Sequence, residues 1–66
     1  MRTSLEFYEC EHYGDLDNYA DDITACGGVI ENKHLYYDEE IGVIECTVPL
    51  DFWTKFKTTN SYEFLN

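Results

Sequence analysis

Apolar positions along the chain change period several times, and each change marks an element. Residues 4–12 (Ser4-Leu-Glu-Phe-Tyr-Glu-Cys-Glu-His12) place Leu5 and Phe7 on one face of an extended strand. Tyr8 and Cys10 fall on its other face, which predicts an interior strand or one interrupted by a bulge. Over residues 15–26, Leu16, Tyr19, Ala20, Ile23 and Cys26 recur at i, i+3, i+4, i+7 and i+10, the single stripe of an amphipathic helix. Asp15 is placed to cap its N-terminus. Gly27 stands where a left-handed residue ends a helix, and Gly28 eases the exit.

Residues 29–48 predict a hairpin of two runs, Val29 to Tyr37 and Ile41 to Val48, turning at Asp38-Glu39-Glu40. Ile44, Cys46 and Val48 share one face of the second run, with Val43 and Thr47 on the other. Asn32-Lys33 offers an extra turn that would split the first run. Pro49 is suited to open a second helix at its first position. Phe52, Trp53 and Phe56 would line one side of it, with Leu50 nearby. Lys55 and Lys57 would sit near its C-terminus, where the helix dipole favours cations. Thr58-Thr59-Asn60-Ser61 breaks this helix, and residues 62–65 alternate weakly as a last strand.

The expected architecture is one α+β domain over residues 1–66, a single antiparallel sheet with two helices on one face. Its order, β-α-β-β-α with a final β, is the split β-α-β or ferredoxin-like arrangement. That arrangement puts the first and third strands in the middle, and these are the two that are apolar on both faces.

Charge changes the picture more than composition does. The 66 residues hold 14 Asp and Glu against 4 Lys and Arg, a net charge of −10, while 44% of positions are hydrophobic. A folded core is expected, but a small one that a partner or a homodimer would reinforce. Direct nucleic-acid binding is disfavoured, because it needs basic groups to displace counterions. An anionic membrane is disfavoured for the same reason. No apolar run approaches a bilayer span and no signal-peptide core is visible, so a cytoplasmic protein is expected. Three cysteines, Cys10, Cys26 and Cys46, fit reduced thiols better than a disulfide framework.

From Thr3 to Asn32 there are eight acidic residues and no basic one: Glu6, Glu9, Glu11, Asp15, Asp17, Asp21, Asp22 and Glu31. Asp17 and Asp21 are like charges at i, i+4, which repel. Asp21 and Asp22 gain nothing from the helix N-terminus, and Asp is a poor interior helix former. Asp17 and Asp21 would lie about 6 Å apart along the helix axis. Glu9 and Glu11 would be about 7 Å apart on a strand. Both are coarser than the roughly 3.4 Å per phosphate of one DNA strand, but of similar order. The expected recognition surface is Glu9, Glu11, Asp15, Asp17, Asp21 and Asp22, joined by Asp38, Glu39 and Glu40 if the hairpin tip lies on the same side. The plain alternatives are a solvated face that maintains solubility and an ordinary charged turn.

Of six tyrosines, Tyr13 and one of Tyr36 or Tyr37 are the candidates for exposure. Phe52, Trp53 and Phe56 read as core, with Trp53 an interface anchor if it is exposed. Cys10, His12, Cys26, His34 and Cys46 are suitable metal ligands by type but lack zinc spacing, and Asp15-Leu-Asp17-Asn18 lacks the glycine and glutamate of a calcium loop. No metal or cofactor is expected. Cys10 and His12 would share a strand face as a dyad, without a nearby group to lower the thiol pKa. An enzyme is not expected.

In size and charge the chain resembles small phage-encoded inhibitors that imitate DNA or fill a basic groove of a host enzyme. That resemblance implies a basic nucleic-acid-binding partner in the host cytoplasm, such as a nuclease, a restriction or CRISPR effector, or a transcription factor. The competing reading is an antitoxin-like module or accessory subunit held by its aromatic second helix through Trp53 and Phe56.

Overall fold

A computed structural model describes residues 1–56 and the backbone of residues 61–65. The elements run β1 (Arg2–Phe7), α1 (Tyr13–Ala25), β2 (Val29–Tyr36), β3 (Ile41–Thr47), α2 (Phe52–Lys55) and β4 (Ser61–Leu65). The protein is a small α+β fold with an antiparallel sheet and two helices. β3 pairs with β2 on one side and β1 on the other, from Leu5 opposite Ile44 to Phe7 opposite Gly42. The backbone of β4 continues the sheet beyond β1, giving the order β2-β3-β1-β4.

The core lies on one face. Thr3, Leu5 and Phe7 of β1 alternate inward with Gly42, Ile44 and Cys46 of β3. Leu16, Ala20 and Ile23 cover them from α1, with Tyr19 and Cys26 packed at the margin, as the stripe predicts. Phe52 and Phe56 close the other end, their rings stacked 4.9 Å apart. Trp53 stands edge-on to Phe52 and is half-buried. On the opposite sheet face Val43 and Thr47 remain half-exposed.

Local chemistry explains where boundaries fall. The first strand stops at Phe7, five residues short of its expected end, because Glu9 adopts a left-handed backbone with φ 60°. That turn brings Cys10 back into the core instead of onto the opposite face. The first helix begins at Tyr13, ahead of Asp15. Asp15 serves from inside the first turn, its carboxylate accepting the Glu11 and His12 N–H groups at 3.1 and 3.3 Å. At the other end Gly27 takes φ 94°, and Gly28 N–H reaches Ile23 C=O while Gly27 N–H reaches Thr24 C=O. This is a Schellman ending, as the glycine predicts.

The hairpin turns at residues 37–40 as expected. A bulge at Glu31, between Ile30 and Asn32, replaces the extra turn at Asn32-Lys33 and leaves β2 whole. Pro49 does not open the second helix at its first position. It precedes it by a turn whose C=O accepts Phe52 N–H, the helix is only four residues long, and Leu50 projects outward, 88% exposed. Lys55 lies in its last turn as expected. Lys57, the break at Thr58-Thr59-Asn60 and the side chains of 61–65 lie outside the described residues.

Gly42 is required by close approach. A Cβ there would lie 2.4 Å from Leu16 Cδ1 and 3.3 Å from Cys10 Sγ. Gly42→Ala should therefore destabilise the fold by about 1–3 kcal/mol in urea unfolding. Adding Leu16→Ala should cost less in that background than in the wild-type chain, and simple additivity would show that the contact is not tight.

Candidate functional site

The nine expected acidic positions occupy three segments: Glu9 and Glu11 on the β1–α1 loop, Asp15, Asp17, Asp21 and Asp22 on α1, and Asp38, Glu39 and Glu40 at the hairpin tip. Backbone hydrogen bonding joins the loop to the tip, since Cys10 N–H donates to Glu40 C=O at 2.8 Å. The two non-glycine residues with positive φ among those described flank this bond. Glu9 precedes its donor, and Glu40, with φ 56°, supplies its acceptor. A left-handed residue with a Cβ costs roughly 1–2 kcal/mol, so glycine or asparagine would suit either position better.

α1 presents acids along two flanks. On one, Glu9, Asp15 and Asp22 border a shallow depression with Asn18 and Tyr19. On the other, Asp17 pairs with Lys33 of β2, and Asp21 follows one turn later in solvent. Because Glu9 and Glu11 leave the strand before their positions, the regular strand spacing expected for them is absent. The structure thus joins the β1–α1 loop to the hairpin tip and brings Glu9 beside Asp15 and Asp22, while Asp17 and Asp21 follow the other flank of α1 towards the middle of β2.

Each described lysine or arginine has a carboxylate partner. Arg2 meets Glu31 at 2.8 Å, Lys33 meets Asp17, and Lys55 meets Asp51 at 3.2 Å. These pairs are exposed and contribute little stability each. They leave Glu9, Glu11, Asp21, Asp22, Asp38, Glu39 and Glu40 without a cation among the described residues. Glu31 is also hydrogen-bonded by the Thr47 hydroxyl, which, with Arg2, holds its carboxyl below the usual range. A lowered carboxylate pKa supports the fold above the ordinary carboxylate range, and the support is lost as pH falls through the lowered value.

Sequence reasoning did not find a second feature beside the acids. Tyr13, Tyr36, Tyr37 and His34 line an open groove with Asp38 and Glu39 at the β2 edge. Tyr13 and Tyr37 are 24 positions apart in sequence, so only the fold brings them together. The signal available beforehand was the excess of tyrosine and the expected exposure of Tyr13 and of Tyr36 or Tyr37. All three are exposed.

Cys10 and Cys46 are placed against nucleophilic chemistry. Burial pushes Cys10 up from its ordinary pKa, aided by the Asp15 charge and opposed by a hydrogen bond with the Gly42 backbone. Burial does the same to Cys46, with a smaller push from Glu31. A thiol shifted upward stays protonated at neutral pH, and the thiolate is the reactive form. His12, the other half of the expected dyad, is exposed at the start of α1. Among the described residues no three carboxylate, imidazole or thiol groups converge as metal ligands. No described helix is long and apolar enough to cross a membrane.

Compared with known protein families, curated proteins and solved structures, the chain matches none. Functional inference therefore rests on its own surface. In the native protein a thiol reagent should label Cys26, the half-exposed cysteine, before the other two. Cys10 and Cys46 should react only on unfolding, as read by mass spectrometry; rapid labelling of Cys10 would restore it as a nucleophile.

Proposed function

We propose that the protein is a non-catalytic, cytoplasmic inhibitor that presents its uncompensated carboxylates to the basic nucleic-acid-binding groove of another protein. The ferredoxin-like order belongs to the same proposal, with β1 and β3 as the rigid centre from which the loop and tip project. One observation carries the reading: acids occupy positions where local structure favours other residues. Glu9 and Glu40 hold left-handed backbone, and Asp21 sits mid-helix one turn from Asp17. None of the three has a described cation. Strained backbone of this kind is retained where function requires it.

Carboxylates on such a surface replace phosphates as partners of lysine and arginine. The net charge of −10 speeds encounter with a basic groove and makes affinity fall with salt. The partner class is a nuclease, restriction or CRISPR effector, or transcription factor, and a phage or mobile-element origin fits that class.

The test is capture from bacterial lysate on the immobilised protein, across a salt series and with competing duplex DNA. Nucleic-acid-binding proteins released by both salt and DNA are expected. A Glu11→Gln, Asp21→Asn, Asp22→Asn variant should retain its fold by circular dichroism and capture at least about tenfold less, since several charge-assisted contacts are removed. Capture indifferent to DNA and unchanged in that variant would overturn the reading. If the same proteins were instead lost with Trp53→Ala, the aromatic-helix module would replace it.

A further inference from the structure

β2 is an edge strand of the sheet, and its far end is bordered by aromatic rings instead of lying bare. Tyr13 reaches across from α1, and its hydroxyl accepts the Leu35 N–H at 3.3 Å. This contact fixes the Tyr13 ring beside the edge and occupies a backbone donor that another strand would need. Tyr37 stands edge-to-face with Tyr13, centroids 6.1 Å apart and planes at 70°. On the outer sheet face His34 and Tyr36 make a similar pair at 4.4 Å and 71°. In each edge-to-face pair one ring has neither face covered by its partner. Tyr13, Tyr36 and Tyr37 are 40%, 48% and 62% exposed, too open for core residues. Asp38 and Glu39 also line the groove, and neither has a cation among the described residues.

We propose that this groove holds an arginine side chain of the basic partner, a refinement that rests on the proposed acidic recognition function. Guanidinium is planar and weakly hydrated, so it stacks on a tyrosine face while its N–H groups donate to carboxylates. The groove offers both at once. Lysine ammonium is a compact, strongly hydrated charge and gains less from the rings. The acids elsewhere on the surface attract any cation, whereas the tyrosine groove separates arginine from lysine.

The experiment is an NMR titration of the intact protein with capped hexa-arginine and hexalysine peptides at one ionic strength. The arginine peptide should bind about three- to tenfold more tightly and shift the ring signals of Tyr13, Tyr36 and Tyr37. In Tyr36→Leu with Tyr37→Leu its affinity should fall to that of the lysine peptide, which should itself be little changed. If that double variant fails to fold, Tyr37→Leu alone, at the most exposed ring, serves the same comparison. Equal affinities, with shifts confined to the acids of α1, would overturn the arginine groove and leave the acidic surface standing. Failure of both peptides to bind would overturn both.

Discussion

Phe7 is the residue on which the arrangement depends. It sits fully buried on a central strand, stacks on Tyr19 of α1 at 4.2 Å, and meets Phe56, just past α2, edge-on at 6.3 Å. One ring thus ties both helical segments to the same face of the sheet. Opposite it in register, Gly42 has no side chain, and the space admits Leu16 and Cys10. A chain this short has apolar volume for one such layer. The large buried side chains go there, and the acids are left to the opposite face, the loops and the outer flanks of α1.

That one-sided core explains the electrostatics. The outer sheet face neutralises part of its charge locally through Arg2 with Glu31, and Asn32 donates a hydrogen bond to Glu45. The other end of the molecule does not. There the β1–α1 loop and the hairpin tip are joined by the Cys10–Glu40 hydrogen bond, and carboxylates stand on both sides of it. Glutamate at two left-handed positions, and aspartate in mid-helix, oppose local preference. On the proposed reading these choices serve acidic recognition; charge for solubility can sit on unstrained surface.

Features set by neighbours in sequence were legible. The α1 stripe follows from its period, the helix end from Gly27, and the hairpin turn from the polar run at 38–40. Boundaries set by a single dihedral were not: nothing in Tyr8-Glu9-Cys10 announces a left-handed residue, because the usual signal is glycine or asparagine. The start of α1 lies two residues ahead of Asp15 because that side chain accepts N–H groups preceding it, whereas an N-cap side chain accepts those that follow. The excess of acids is legible in the composition itself. Their grouping was not readable, because it depends on contacts distant in sequence: Lys33 with Asp17, Tyr13 with Tyr37, and the tip with the loop.

On the proposed reading, these acids are kept against the interest of the fold. The most direct test is the unfolding free energy of a Glu9→Asn, Glu40→Asn, Asp21→Ala variant, measured in urea against the wild-type protein. The variant should be more stable by about 1–3 kcal/mol, from relief of left-handed strain, better helix propensity and less repulsion. A variant of equal or lower stability would show that the fold itself requires these acids, and the surface would lose its claim to be a recognition site.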